Sequence, residues 1–189
     1  MDKSNTTENK NNNVLVLDNY DSFTYNLVHY IESFNISCDV LLHHLGKPKV
    51  VSKYINKLGI DDFNIKYNEK TMGKKWQNQY QNYSSANAMT NILVQFYLQK
   101  ILSPTNTDYL YDVMTETQTG KDRIVKLLPI GTVVAHKTGT SGTQNGIRAA
   151  VNDCGIITLP NGKHLALTLF IKDSKADIAI AEATMAQIA

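Results

Sequence analysis

The chain is poor in the residue types that mark several large classes of protein. It has two cysteines, four prolines and one tryptophan among 189 residues, and only 19% of its residues are charged, with a net charge of +2. So small a charge gives no basis for expecting nucleic acid or a membrane surface as a partner. No apolar run approaches the roughly 20 residues of a membrane-spanning helix. The remainder, 42% hydrophobic, predicts one globular domain with a sizeable core.

The sequence also lacks the patterns that indicate a metal site, a disulfide or export. Cys38 and Cys154 lie far apart in apolar segments, which favours two buried free thiols over a disulfide. His43 and His44 are adjacent, so on a helix they point in different directions, and the chain has no Cys-x-x-Cys or His-x-x-x-His spacing. We therefore expect no metal and no cofactor. The opening MDKSNTTENKNNN lacks the apolar stretch of a secretory signal, which as written predicts a cytoplasmic chain.

Hydrophobic periodicity predicts an α+β fold in which helices flank an antiparallel sheet. Residues 1–13 are Asn-rich and predict a disordered tail. The apolar run VLVLD at 14–18 predicts a buried strand, followed by a turn and a helix. Helical spacing continues over 37–58, with Gly46 as a C-cap, and the weakly periodic residues 60–83 predict a long functional loop.

The second half of the chain changes from helical to β periodicity. Helices are predicted over 84–102, with Ser84 or Ser85 as N-cap, and over 107–120. A closing helix is predicted with Ser174 as its N-cap. Three antiparallel strands are predicted between them, the last two joined by a tight PNG turn: 132–140, 149–159 and 163–173.

A charged side chain stands where one of these strands gives way to small residues. In VVAHKTGTSG, Lys137 is followed by Gly139 and Gly142, which let a ligand approach the backbone closely. Hydroxyl and N–H groups come from three neighbours: Thr138, Thr140 and Ser141. An ammonium among such donors would hold a carboxylate and present an N–H to a developing oxyanion. A solvated strand end with a Gly-rich turn explains these residues equally well when they are taken alone.

The wider context of this motif resembles the C-terminal part of a class A serine β-lactamase. HKTGTSG is preceded by TGKDRIVKLLPIGTVVA and followed by NDCGIITLPNGKHLALTLFIKDS, and the similarity covers about residues 33–189. The resemblance implies a truncated serine β-lactamase or penicillin-binding-protein-like fold. It also implies a small-molecule β-lactam substrate hydrolysed through an acyl-enzyme. Natural members of that family act after export from the cytoplasm.

The resemblance assigns the substrate-binding roles first. Lys137 would bind the β-lactam carboxylate, and the Thr140 N–H would form half of an oxyanion hole. Thr138, Gly139 and Ser141 belong to the same substrate-binding strand. Arg123, in GKDR, matches an arginine that some members place beside the same carboxylate.

The remaining roles fall on an upstream segment and on the predicted loop. Glu69, in NEKTM, matches the Ω-loop glutamate that activates water for deacylation, although Gly73 stands where the family usually has Asn or His. Ser33 and Asn35, in SFN, occupy the Ser-Asp-Asn position. Ser33 would shuttle a proton to the lactam nitrogen and Asn35 would bind the acylamide side chain, with Phe34 replacing the usual Asp.

The family's nucleophile motif is missing. No Ser in the chain is followed three residues later by Lys. Without that serine the acyl-enzyme cannot form, so we expect the chain alone to be inactive. Residues 12–32 instead resemble the opening of the glutamine amidotransferase subunit of anthranilate and aminodeoxychorismate synthases. The predicted organisation is therefore a tail at 1–13, an amidotransferase-like segment at 14–32 and an incomplete β-lactamase-like domain at 33–189.

Several alternatives stay open at this point. The chain could be a non-catalytic remnant that binds a β-lactam or carboxylate, or an amidotransferase-related fusion product, although the catalytic Cys and His of amidotransferases are absent. A complementing fragment could be its partner. In that case the strand at 14–18 could instead cover a sheet edge left exposed by the missing strands of the family.

Overall fold

The computed structural model describes residues 38–189, apart from the side chains of residues 38, 41 and 44. The strand, turn and helix predicted over 14–32, together with Ser33 and Asn35, lie outside these residues. The helices are α1 Cys38–His44, α2 Pro48–Lys57, α3 Glu69–Met72, α4 Ala86–Tyr97, α5 Pro104–Thr115 and α6 Ile178–Ile188. The strands are β1 Phe63–Asn64, β2 Tyr83–Ser84, β3 Val134–Thr140, β4 Thr143–Gln144, β5 Ile147–Thr158 and β6 His164–Ser174. Within the described part of the chain, no helix is long and apolar enough to cross a membrane.

The helix boundaries follow capping chemistry. Pro48 opens α2, where a missing N–H costs nothing. Ser85 caps α4, because its hydroxyl accepts the Ala88 N–H at 3.1 Å. The prediction of Ser174 as the last N-cap was wrong: Ser174 ends β6, and the Asp177 carboxylate caps α6.

Two further predictions need correction. The helix predicted over 107–120 spans Pro104–Thr115, with Ser103 as its N-cap. The segment predicted as one long loop contains β1, α3, a 3₁₀ helix at Trp76–Gln81 and β2. β1 and β2 pair antiparallel, so the residues between them form a closed loop, which we call the 65–82 loop.

The sheet places β5 at its centre. β3 pairs antiparallel with one side of β5 and β6 with the other, while the short β4, which the periodicity did not predict, adds two pairs to β5. Where β3 crosses Gly155, the strands approach so closely that a Cβ would lie 2.5 Å from the Ala135 carbonyl oxygen. The predicted antiparallel sheet flanked by helices is thus confirmed.

The core lies on both faces of this sheet. On one face Ile156 packs against Leu93 and Phe96 of α4. On the other face Val151 packs against Met185 of α6. The central strand is therefore covered on both sides, and β3 lies at one edge of the sheet with its motif at the end of the strand.

Candidate functional site

The outer edge of β3 presents every second peptide group of the strand. The Thr158 N–H donates to the Val133 carbonyl at 2.9 Å, so odd-numbered residues of β3 bond to β5. Because antiparallel pairing alternates between bonded and outward-facing residues, Thr138 and Thr140 turn their N–H and C=O groups away from β5. The Thr140 N–H therefore points away from β5, at the outer edge of the strand.

Lys137 is exposed on this strand. Its ammonium donates to the Thr138 carbonyl at 2.7 Å. An exposed ammonium that bonds its neighbour's carbonyl can exchange that bond for a charge-assisted bond to a carboxylate. Lys137 thus offers a positive charge next to outward-facing backbone donors.

Cys154 lies opposite Lys137 in the β3–β5 register. The thiol is free and partly buried, and it lies 3.7 Å from the Lys137 carbonyl oxygen, to which it donates. Burial raises the pKa of Cys154 to about 11, with a smaller contribution in the same direction from the charge of Asp153. This thiol is accordingly held in its protonated, unreactive form at neutral pH.

Arg123 supports the strand from within the protein. Its side chain is buried, and its guanidinium donates to the Asn152 carbonyl at 2.7 Å and to the Thr140 hydroxyl at 2.6 Å. It also donates to the Gly139 carbonyl at 3.3 Å and pairs with Glu182 of α6 at 3.2 Å. These contacts tie β3, β5 and α6 together where the motif lies. Its predicted place beside a ligand carboxylate stays a prediction.

A buried pair of hydrogen-bonded side chains, His136 and Asp153, lies directly beside Lys137, and the sequence did not predict it. His136 Nδ1 lies 2.9 Å from the Asp153 carboxylate, and both side chains are almost fully buried. The Thr117 hydroxyl also donates to the His136 carbonyl at 2.7 Å. The residue before Lys137 is therefore fixed at both its ring and its backbone.

The hydroxyl groups of the motif have different partners. The Thr138 hydroxyl lies 2.7 Å from that of Thr119, at the exposed edge. The Ser141 hydroxyl instead accepts the Ala150 N–H at 2.9 Å, which joins the end of β3 to β5. The Thr138 hydroxyl is thus bonded to Thr119 at the exposed edge, whereas the Ser141 hydroxyl joins the end of β3 to β5.

Glu69 is placed by a residue that the sequence reading did not single out. The Asp39 carboxylate of α1 accepts the backbone N–H groups of Glu69 and of Lys70, the second at 2.8 Å. A carboxylate at the first turn of α3 also complements the helix dipole. Within residues 38–189 the backbone of Glu69 bonds to α1 and to its own helix, and its exposed side chain makes no hydrogen bond to β3.

The side chain of Asn82 joins the two ends of the 65–82 loop by hydrogen bonds. The Asn82 side-chain oxygen accepts the N–H groups of Lys66 and Tyr67, each at 2.9 Å, and its amide donates to the Tyr67 carbonyl at 2.8 Å. Bonds of this kind fix both ends of a loop. Glu69 therefore lies in a loop whose two ends are held together by hydrogen bonds.

The structure brings most of the predicted residues together on one strand. β3 and the residue after it contain five of them: Lys137, Thr138, Gly139, Thr140 and Ser141. The buried Arg123 side chain donates a hydrogen bond to this strand at Thr140. Glu69 lies on the separate 65–82 loop, and Ser33 and Asn35 fall outside the described residues. Among the residues described, no three His, Cys, Asp or Glu side chains cluster as metal ligands.

Comparison with known proteins identifies the family. A family model described as the beta-lactamase enzyme family matches residues 29–189. The chain belongs to this family. Over 160 residues it is 44% identical to the β-lactamase VEB-1 of Pseudomonas aeruginosa, which covers 84% of this chain and 54% of VEB-1. It is also 44% identical to the extended-spectrum β-lactamase PER-1 of the same organism, over 83% of this chain and 51% of PER-1.

Solved structures agree with this assignment. The TLA-1 extended-spectrum β-lactamase superposes with a TM-score of 0.82 at 42% identity, over 88% of this chain and 61% of that chain. A class A β-lactamase from Bacteroides cellulosilyticus DSM 14838 gives a TM-score of 0.79 at 32% identity, over 88% and 60%. The class A β-lactamase fold predicted from the sequence is thereby confirmed. The chain spans about half the length of the curated relatives it matches.

Proposed function

We propose that this chain carries the carboxylate-binding wall of a class A serine β-lactamase site, with Lys137 receiving the carboxylate of a β-lactam. The observation that supports this most strongly is the exposed Lys137 ammonium beside the outward-facing peptide groups of Thr138 and Thr140. An ammonium and preorganised N–H donors on one strand edge suit a ligand that carries a carboxylate next to a reactive carbonyl.

The other assigned residues complete the proposal. Glu69 would activate the deacylating water, Ser33 would pass a proton to the lactam nitrogen, and Asn35 would bind the acylamide group. Hydrolysis also needs a serine nucleophile, and the 189 residues contain no Ser-x-x-Lys. The chain alone therefore binds β-lactams without opening them, and activity requires a complementing fragment that supplies the motif. An amidotransferase would need a catalytic Cys and His, and this chain lacks the motifs that supply them.

Binding should depend on Lys137. We expect benzylpenicillin to raise the melting temperature of the chain, and Lys137→Ala to weaken binding by at least about tenfold, because a charge-assisted hydrogen bond contributes about 1.5–3 kcal/mol. Thermal shift and calorimetric titration measure both. Lys175→Ala is the matched control, since Lys175 is also exposed and lies after β6. Equal binding by wild type and Lys137→Ala would remove the basis of the proposal.

Turnover should be absent. The purified chain is expected to release no chromophore from a chromogenic cephalosporin above the buffer rate, since loss of the nucleophile in such a site typically costs about 10⁶-fold in rate. The same assay is run on Glu69→Gln, which removes the proposed general base. Clear turnover by the wild-type chain that Glu69→Gln abolishes would show that the chain is a complete enzyme and that the proposal of a binding wall is wrong.

A further inference from the structure

The segment that follows α5 contacts the outer edge of β3, the edge that carries the candidate site. We call it the 117–120 segment, and its sequence is TQTG. The Thr117 hydroxyl donates to the outward-facing His136 carbonyl at 2.7 Å. Two residues further along both segments, the Thr119 and Thr138 hydroxyls lie 2.7 Å apart. The segment therefore meets β3 at two successive outward-facing positions.

Gly120 brings this segment close to the strand. Its φ is +68°, a left-handed conformation that favours glycine. A Cβ at this position would overlap the Cγ2 methyl group of Thr138 and would lie 3.3 Å from Cδ of Arg123. Any side chain here would push the segment or Thr138 away. The contact between the Thr119 and Thr138 hydroxyls thus depends on a glycine beside it, and it joins residues 19 positions apart.

The two hydroxyl groups share one proton between their oxygens. Each threonine hydroxyl has one proton to donate and lone pairs to accept with. When the Thr119 hydroxyl donates to Thr138, the proton of Thr138 is available to another acceptor. When the direction is reversed, the proton of Thr138 is used within the pair. The direction of this one bond therefore decides which of the two hydroxyls can donate to an acceptor bound by Lys137.

We propose that Thr119 is a positioning residue: its hydroxyl donates to Thr138, so that Thr138 donates its own proton to the carboxylate bound by Lys137. This inference rests on the proposed function and adds a residue to its carboxylate site. The Lys137 ammonium reaches the Thr138 carbonyl, so a carboxylate held there lies close to Thr138. Its negative charge attracts the hydroxyl proton of Thr138, which favours this direction of the pair. A hydroxyl that accepts one hydrogen bond is polarised and donates another more strongly.

Calorimetric titration of the full chain with benzylpenicillin is the test. Thr119→Val removes the hydroxyl but keeps the shape of the side chain. It should weaken binding about three- to tenfold, the effect of one hydrogen bond. The melting temperature without ligand should stay unchanged, because Thr119 is exposed. Thr119→Ser keeps the hydroxyl and should bind as the wild type does. Thr132→Val is the matched control, since the Thr132 hydroxyl donates to the Pro129 carbonyl, before β3 begins.

A double-mutant cycle tests whether Thr119 acts through Thr138. Thr138→Val removes the proposed donor and should weaken binding at least as much as Thr119→Val does. Adding Thr119→Val to Thr138→Val should have no further effect, because the residue through which Thr119 acts is already lost. The methyl ester of benzylpenicillin lacks the negative carboxylate, so the wild type and Thr119→Val should bind it equally.

Four results would overturn this inference. Thr119→Val could bind benzylpenicillin as tightly as the wild type, Thr119→Ser could bind as weakly as Thr119→Val, the effects of the Thr119 and Thr138 substitutions could add, or binding of the methyl ester could fall equally. In each case the wild-type chain still binds benzylpenicillin through Lys137, so the proposed function stands. Binding that does not depend on Lys137 would instead refute the proposed function, and the role of Thr119 with it.

Discussion

Replacing Asp153 with alanine is expected to lower the free energy of unfolding by about 1–3 kcal/mol, because it leaves the buried His136 ring without its hydrogen-bond partner. The two side chains lie 2.9 Å apart and expose 3% and 0% of their surface, so water cannot replace the lost bond. The change also loosens the β3–β5 pairing beside Lys137. Bound β-lactam should therefore stabilise the variant less than it stabilises the wild-type chain.

Denaturant unfolding of Asp153→Ala measures this effect. Asp122→Ala is the matched control, since Asp122 pairs with Lys126 at 2.8 Å but exposes 62% of its side chain. A surface pair of this kind contributes about 0.3–0.5 kcal/mol. Similar losses in the two variants would mean that the His136–Asp153 pair is not the bond that fixes β3.

Gly155→Ala is expected to cost about 3 kcal/mol for a steric reason. The new Cβ would lie 2.5 Å from the Ala135 carbonyl oxygen and 2.6 Å from the His136 Cβ. Both neighbours belong to β3, so one strand must move away from the other, and forced overpacking of a core costs about 1–3 kcal/mol.

Thermal and denaturant unfolding again provide the readout, with Gly142→Ala as the control. A Cβ at Gly142 meets nothing within 4 Å, so that variant should stay within about 0.5 kcal/mol of the wild type. A Gly155→Ala protein as stable as Gly142→Ala would contradict the close approach of β3 to β5 at this position.

Local chemistry was enough to predict much of the fold. Ser85 and Pro48 mark helix starts through bonds made within one turn, and the PNG turn fixes the β5–β6 hairpin. The start of the last helix could not be predicted this way, because Ser174 and Asp177 are both residue types that cap helices. It depends on how far β6 extends along β5, which is a tertiary property.

In the candidate site, too, residues that are neighbours in sequence were predictable, and contacts between distant residues were not. Lys137 and its neighbours form one continuous motif, so their common strand was predictable. The His136–Asp153 pair and the contact of Asp39 with the 65–82 loop join residues 17 and 30 positions apart. Such contacts follow from strand register and helix packing. Asp153 gave the one local signal of a buried partner. It is a carboxylate on a strand, β5, whose alternate residues are buried.

The central claim, that β3 receives a β-lactam carboxylate, is tested most directly by amide NMR of the ¹⁵N-labelled chain during titration with benzylpenicillin. We expect the shifts to centre on the amides of 137–141, with Thr140 among the largest, and to disappear in Lys137→Ala. No shifts in β3, or the same shifts with Lys137 removed, would contradict the claim.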